Sequence, residues 1–183
     1  MPCARPPEPT HMSDEQRNAI ETILSRPSTS DEDREFLSPY WDFATAMLDA
    51  LGEYDLLRVP DLPQNWRAVY TTLRLDAEVR NGGFHQFFWN SEGVLNAVTE
   101  EDLAFIGATD IHQIFKRAVS CFTEFDIKGS KQRSENTWED FTAGYKTIPW
   151  DTFDDAFYDA SPTLFEHVAH HIRSHQNDFN RNA

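Results

Sequence analysis

The chain has 183 residues, room for one domain with a substantial core plus appendages but cramped for two. Asp and Glu number 31 against 16 Lys and Arg, a net charge of −15 that disfavours nucleic acid or an anionic membrane as direct partner and favours basic proteins. No apolar run approaches the roughly 20 residues that span a bilayer, and no secretory apolar segment opens the chain, so a cytoplasmic protein without membrane contact is expected. Burial would rest on large rings, since the chain holds 14 Phe and 5 Trp but few alternating β-branched runs, and the expected class is all-α. Cys3 and Cys121 are the only cysteines, too few and too unlike in setting to suggest a disulfide; Cys121 reads as a small core residue.

Residues 1–12 carry Pro2, Pro6, Pro7 and Pro9 and almost nothing to bury, which predicts a disordered arm or an added leader, with His11-Met12 resembling a junction. Ser13-Asp14-Glu15-Gln16 has the form of a capping box and predicts a helix to about Ser25. Ser30 can cap the acidic turn Asp31-Glu32-Asp33, and Ser38-Pro39 then predicts a separate helix that Gly52 stops. From Asp61 to Arg80, Leu62, Trp66, Val69, Tyr70, Leu73 and Ala77 recur at the spacing of one buried helix face.

Next comes Asn81-Gly82-Gly83-Phe84-His85-Gln86-Phe87-Phe88-Trp89-Asn90, the most informative stretch of the chain. Two glycines can end a helix and turn the backbone. Phe84, Phe87 and Phe88 then restart it with rings three and four residues apart, aimed at a core, and Asn90 can cap the next helix. A functional alternative would make His85, Gln86 and Asn90 a polar ligand site.

Farther on, Thr99 can cap a helix at Glu100-Glu101-Asp102, and Ile111, Ile114, Phe115, Ala118, Val119 and Phe122 form a helical stripe. Lys128 to Arg133 reads as a basic loop, Asn136 and Glu139 open a helix to about Tyr145, and Asp151 opens a short acidic one. Ser161-Pro162 opens the last, burying Leu164, Phe165, Val168, Ala169 and Ile172. The expected organisation is a compact multi-helix single domain over 13–178, with a frayed tail over 179–183.

The decapeptide resembles the bacterial DNA-mimic protein family, whose C-terminal domain carries an Asn-Gly-Gly-Phe-x-Gln-Phe-Phe-x-Asn signature. On that resemblance Asn81, Gly82, Gly83, Phe84, Gln86, Phe87, Phe88 and Asn90 form a structural motif. The likeness extends more loosely from about Leu62 to His175, through Phe105-Ile106-Gly107-Ala108 and Phe153-Asp154-Asp155-Ala156-Phe157-Tyr158. It implies an all-helical fold, often a homodimer, and in at least one member an acidic surface that occupies the DNA-binding face of a transcription factor.

Charge placement points the same way. Between Asp31 and Asp55 stand eight carboxylates against Arg34 alone, and between Glu135 and Glu166 another eight against Lys146 alone. Carboxylates three or four apart share a helix face about 5–6 Å apart, close to the step between phosphates of one strand. The expected partner surface is Asp31, Glu32, Asp33, Glu35, Asp42, Asp49, Glu139, Asp140, Asp151, Asp154, Asp155 and Asp159. Helix-dipole preference accounts for Asp31 to Asp33 and Asp151, but poorly for Asp42, Asp49, Asp140 and Asp159.

His167, His171 and His175, four apart and with His170 beside them, suggest a titrating solvent face, because no third metal ligand is indicated. Asp154 and Asp155 make a poor acid–base pair, since neighbours on a helix point about 100° apart. With no phosphate loop or nucleophile elbow either, neither enzyme activity nor a cofactor or metal is expected. The expectation is an acidic mimic that occupies the DNA-binding surface of a basic protein, a transcription factor or nucleoid protein, without binding nucleic acid itself. The competing expectation is an acidic inhibitor or immunity-type protein that neutralises a basic toxin or nuclease.

Overall fold

The computed structural model describes residues 30–52, 55–129 and 148–181, with side chains over 35–51, 55–124 and 148–179. The expectations for 1–12, for a helix over 13–25, for the basic loop from Lys128 to Arg133 beyond Gly129 and for a helix to Tyr145 lie outside the described residues. Within them the protein is all-α: α1 (Ser30–Gly52), a 3-10 turn (Leu56–Asp61), α2 (Gln64–Ser91), α3 (Asn96–Phe105), α4 (Thr109–Gly129), α5 (Trp150–Ala160), α6 (Pro162–Ser174) and α7 (Gln176–Arg181). No described helix is long and apolar enough to cross a membrane.

α2 is the axis of the molecule. It packs against α1, α3, α5, α6 and α7, while α4 closes the far side on α3 and α5. Its first half buries Trp66, Val69, Tyr70 and Leu73 as the spacing predicts, but Ala77 on the same stripe is exposed. Two ring clusters sit at its ends. Trp66 packs with Phe43 at 4.6 Å and edge-on to Phe179 at 4.9 Å, and beyond the glycines Phe88 stacks on Phe122 at 4.6 Å.

The structure corrects four boundaries. Pro39 does not start a helix but lies inside α1, which runs unbroken from Ser30. A proline there costs about 3 kcal/mol, but Phe36, Leu37, Tyr40, Phe43, Ala44, Met47 and Leu48 form one continuous buried stripe, and each large side chain returns roughly 1.5–3 kcal/mol. Thr99 does not cap α3, because Asn96 already donates to Gly93 and Thr99 to Leu95, and its own side chain is buried. Asn90 does not cap the next helix either, being engaged within α2. The tail is not frayed from 179: α7 runs to Arg181, and Phe179 is buried edge-on to Tyr40 and Trp66.

Elsewhere local chemistry shapes the chain directly, and at Pro162 as expected. Gly107, at φ 76°, closes α3 with the Ala108 amide donating back to Leu103, the left-handed C-terminal cap that glycine adopts without a Cβ clash. Pro162 opens α6 where no amide donor is needed.

Candidate functional site

The decapeptide forms a kink inside α2. Gly82 (φ −160°, ψ 27°) and Gly83 (φ 73°, ψ −179°) leave helical geometry, and the helix resumes at Phe84. The resumed segment starts with amides that have no partner in the turn before. Asp154 of α5 supplies one: its Oδ1 accepts the Phe84 N–H at 2.8 Å. A Cβ on Gly83 would overlap that carboxylate, so glycine is required there by backbone angle and by space together. Phe84, Phe87 and Phe88 are all buried, and Phe84 meets Phe157 of α5 edge-on at 5.6 Å.

The polar letters of the motif brace the same kink. Glu78, before it, accepts from Gln86 Nε2 and Asn90 Nδ2 after it, both at 2.8 Å. Arg74 pairs with the other Glu78 oxygen at 3.1 Å, and Asn81 Nδ2 donates to Gln86 Oε1. His85 points elsewhere, buried between Trp89 and Trp150 with ring centroids at 6.1 and 5.8 Å. The structure therefore does not bring His85, Gln86 and Asn90 together as one ligand site.

The expected acidic surface divides. Glu35, Asp42 and Asp49 are exposed on α1, and Asp151, Asp155 and Asp159 on α5. Asp151, Asp155 and Asp159 stand at four-residue steps along one face of α5, and Glu35, Asp42 and Asp49 at seven-residue steps along α1. The side chains of Asp31, Glu32 and Asp33 lie outside the described residues, as do Glu139 and Asp140. Asp154 is a correction: it is buried under the kink, because a side chain one position from Asp155 must face about 100° away. Burial pushes its carboxyl above the ordinary value; the Phe84 N–H opposes the shift, and Asp151 and Asp155 add to it.

Of the buried polar groups that escaped sequence reasoning, two have the most defined settings. Asp102, expected in the acidic first turn of a helix capped by Thr99, is fully buried; Arg67 Nε reaches both its oxygens at 3.0 and 3.1 Å, Arg67 Nη2 one of them at 2.7 Å, and Thr71 Oγ1 donates at 2.8 Å. Burial pushes this carboxyl up, and the Arg67 and Thr71 bonds pull it down while holding the guanidinium charged against its own burial. The only signal available was Arg67 and Thr71 four apart on a helix that otherwise buries apolar residues.

His171 is the second. It does not belong to a titrating solvent face: it is buried, Nε2 paired with Asn65 Oδ1 at 2.8 Å, its ring stacked on His175 at 4.4 Å and edge-on to Phe105 at 4.8 Å. Burial, with His175 and His170 as further causes, lowers its pKa to about 4 against an opposing pull from Asp178. Among the described residues no three His, Cys, Asp or Glu side chains gather as a metal site would require.

These features define an all-α protein built on a glycine-kinked central helix, with carboxylates presented on the helices to either side. The family model of the DMP19-like proteins matches residues 60–175, and the chain belongs to that family. No curated protein and no solved structure matches it.

Proposed function

We propose that the chain is a non-catalytic DNA mimic whose exposed carboxylates occupy the DNA-binding surface of a basic partner, a transcription factor or nucleoid protein, in the bacterial cytoplasm. The observation that carries this reading is the row Asp151, Asp155, Asp159 on α5. A helix clamped to α2, α4 and α6 holds its charges in fixed array, so a basic surface meets them without first ordering a loop. Asp154 serves the mimic indirectly, as the carboxylate that ties α5 to the kink. Membership of the DMP19-like family supports the reading. Assembly as a homodimer, which would double the acidic rows, is part of the proposal.

The test is competition. A partner captured from the native cell and purified should be displaced from duplex DNA by this protein, and the triple substitution Asp151→Lys, Asp155→Lys, Asp159→Lys should abolish displacement while helical circular dichroism is unchanged. The isolated chain should show no affinity for duplex DNA, since like charges repel. Simultaneous binding of DNA and this protein to the partner, without mutual loss of affinity, would overturn mimicry and favour an inhibitor that closes some other basic cleft.

A further inference from the structure

Asn81-Gly82 is the only Asn-Gly pair in the sequence, and the fold sets it at the point where α2 leaves helical geometry. Asn81 is exposed, and Gly82 stands at φ −160° and ψ 27°. A continuous helix protects an asparagine, because the backbone amide that follows it is held in the ladder of main-chain bonds and away from the side chain. That protection ends at Gly82. Glycine also has no Cβ to shield its own nitrogen from the preceding side chain.

We propose that Asn81 is a site of self-modification, in which the Gly82 backbone nitrogen attacks the side-chain carbonyl carbon of Asn81. The nitrogen loses its proton, an N–Cγ bond forms and the Cγ–Nδ2 bond breaks, the proton leaving with the amide as ammonia. The product is a cyclic succinimide. Water then opens it: attack at Cγ gives aspartate, and attack at the main-chain carbonyl gives isoaspartate, whose backbone runs through the side chain. Water is the only co-reactant, and no electrons change hands.

The conversion strikes the brace of the kink. Asn81 Nδ2 donates to Gln86 Oε1 at 3.1 Å, and Gln86 Nε2 donates in turn to Glu78. A carboxylate only accepts, so at position 81 it would face the Gln86 oxygen. Turning the Gln86 amide to meet it would withdraw the Nε2 donor from Glu78. Isoaspartate further adds a backbone carbon immediately before the two glycines. Asp154 ties α5 to the same kink through the Phe84 amide, so a slackened kink reaches the helix that carries Asp151, Asp155 and Asp159. The inference stands apart from mimicry and needs no partner.

Ageing the folded chain at mildly alkaline pH and body temperature tests it, with tryptic mapping and enzymatic methylation of isoaspartyl carboxylates as readouts. Acid should accumulate at position 81 ahead of the other asparagines and faster as pH rises, and the aged protein should melt at a lower temperature than the fresh one. Gly82→Ala, whose methyl shields the nitrogen, should slow the conversion severalfold and keep its melting temperature on ageing. Gln86→Ala, which releases the Asn81 amide, should speed it. A folded chain that keeps its amide at 81 while the urea-unfolded chain converts would show that the fold protects the pair, and would overturn the proposal. Conversion of Gly82→Ala at the parent's rate would overturn it too, because ring closure through that nitrogen would not be the step. Full conversion with an unchanged melting temperature would overturn the effect on the kink.

Discussion

Asp102 and Asp154 are both buried carboxylates, both contributed by short helices and both touching α2, yet they are satisfied differently. Asp102 meets a guanidinium that contacts both its oxygens, plus a hydroxyl. Asp154 meets the Phe84 backbone amide, with Asp151 and Asp155 raising its pKa further. The first arrangement neutralises a charge; the second positions a backbone. A charge that is neutralised becomes costly when its partner is removed, whereas a carboxylate used as an acceptor can be replaced by any group that accepts.

The sharpest way to break this contrast is Arg67→Ala, which strands Asp102 in the interior and should cost about 3–5 kcal/mol. Urea unfolding at neutral pH measures it. A loss below about 1 kcal/mol would mean that the pair behaves like an exposed surface bridge, and the contrast would fail.

His171 extends the comparison to a base buried neutral. Its folded pKa of about 4 lies below the ordinary 6.5. A depressed folded value means that its stabilising contribution is complete above pH 6.5 and is lost as pH falls toward 4. That loss amounts to up to about 3 kcal/mol. His171→Gln, which cannot titrate, should flatten this part of the stability–pH curve. Parent and variant curves that run parallel between pH 7 and 4 would contradict the burial argument.

Asp154→Ala should cost about 1–3 kcal/mol, the penalty for orphaning the Phe84 amide. Asp154→Asn, which keeps an acceptor, should cost less. Because the folded Asp154 pKa is raised, the carboxyl's contribution is fullest below its ordinary 3.8 and declines as pH rises through the higher folded value, so the asparagine variant should compare best with the parent at neutral pH. Equal losses for the two variants would show that shape, not the hydrogen bond, holds the kink.

The smallest effect separates the two glycines. Gly82→Ala, with an extended φ and only the flexible Gln86 side chain in its way, should cost about 1 kcal/mol or less. Gly83→Ala, at positive φ and against Asp154, should cost more. Thermal melts of the pair decide it, and the reverse order would relocate the kink's requirement for glycine.

Much of this was legible because it is local. Spacing of three and four names the buried faces of α4 and α6 from the identity of neighbours alone, and the two glycines announce a break before Phe84, since backbone freedom belongs to the residue itself. Local signals misled where the fold competed with them: Pro39 suggested a helix start and residue 179 an end, and in both cases apolar contacts made elsewhere in the fold prevailed, while Thr99 suggested a cap for a helix whose backbone bonds already begin at Asn96.

What only the tertiary structure decided is which polar groups face inward. Asp151, Asp154 and Asp155 are chemically identical, and nothing in their order says that the middle one reaches Phe84 from 70 residues away. Arg67 finds Asp102 across 35 residues and His171 finds Asn65 across 106. Helical periodicity is a property of nearby residues and can be read along the chain. The partner of a buried charge is a property of how helices pack, and a carboxylate carries no mark of its partner until they do.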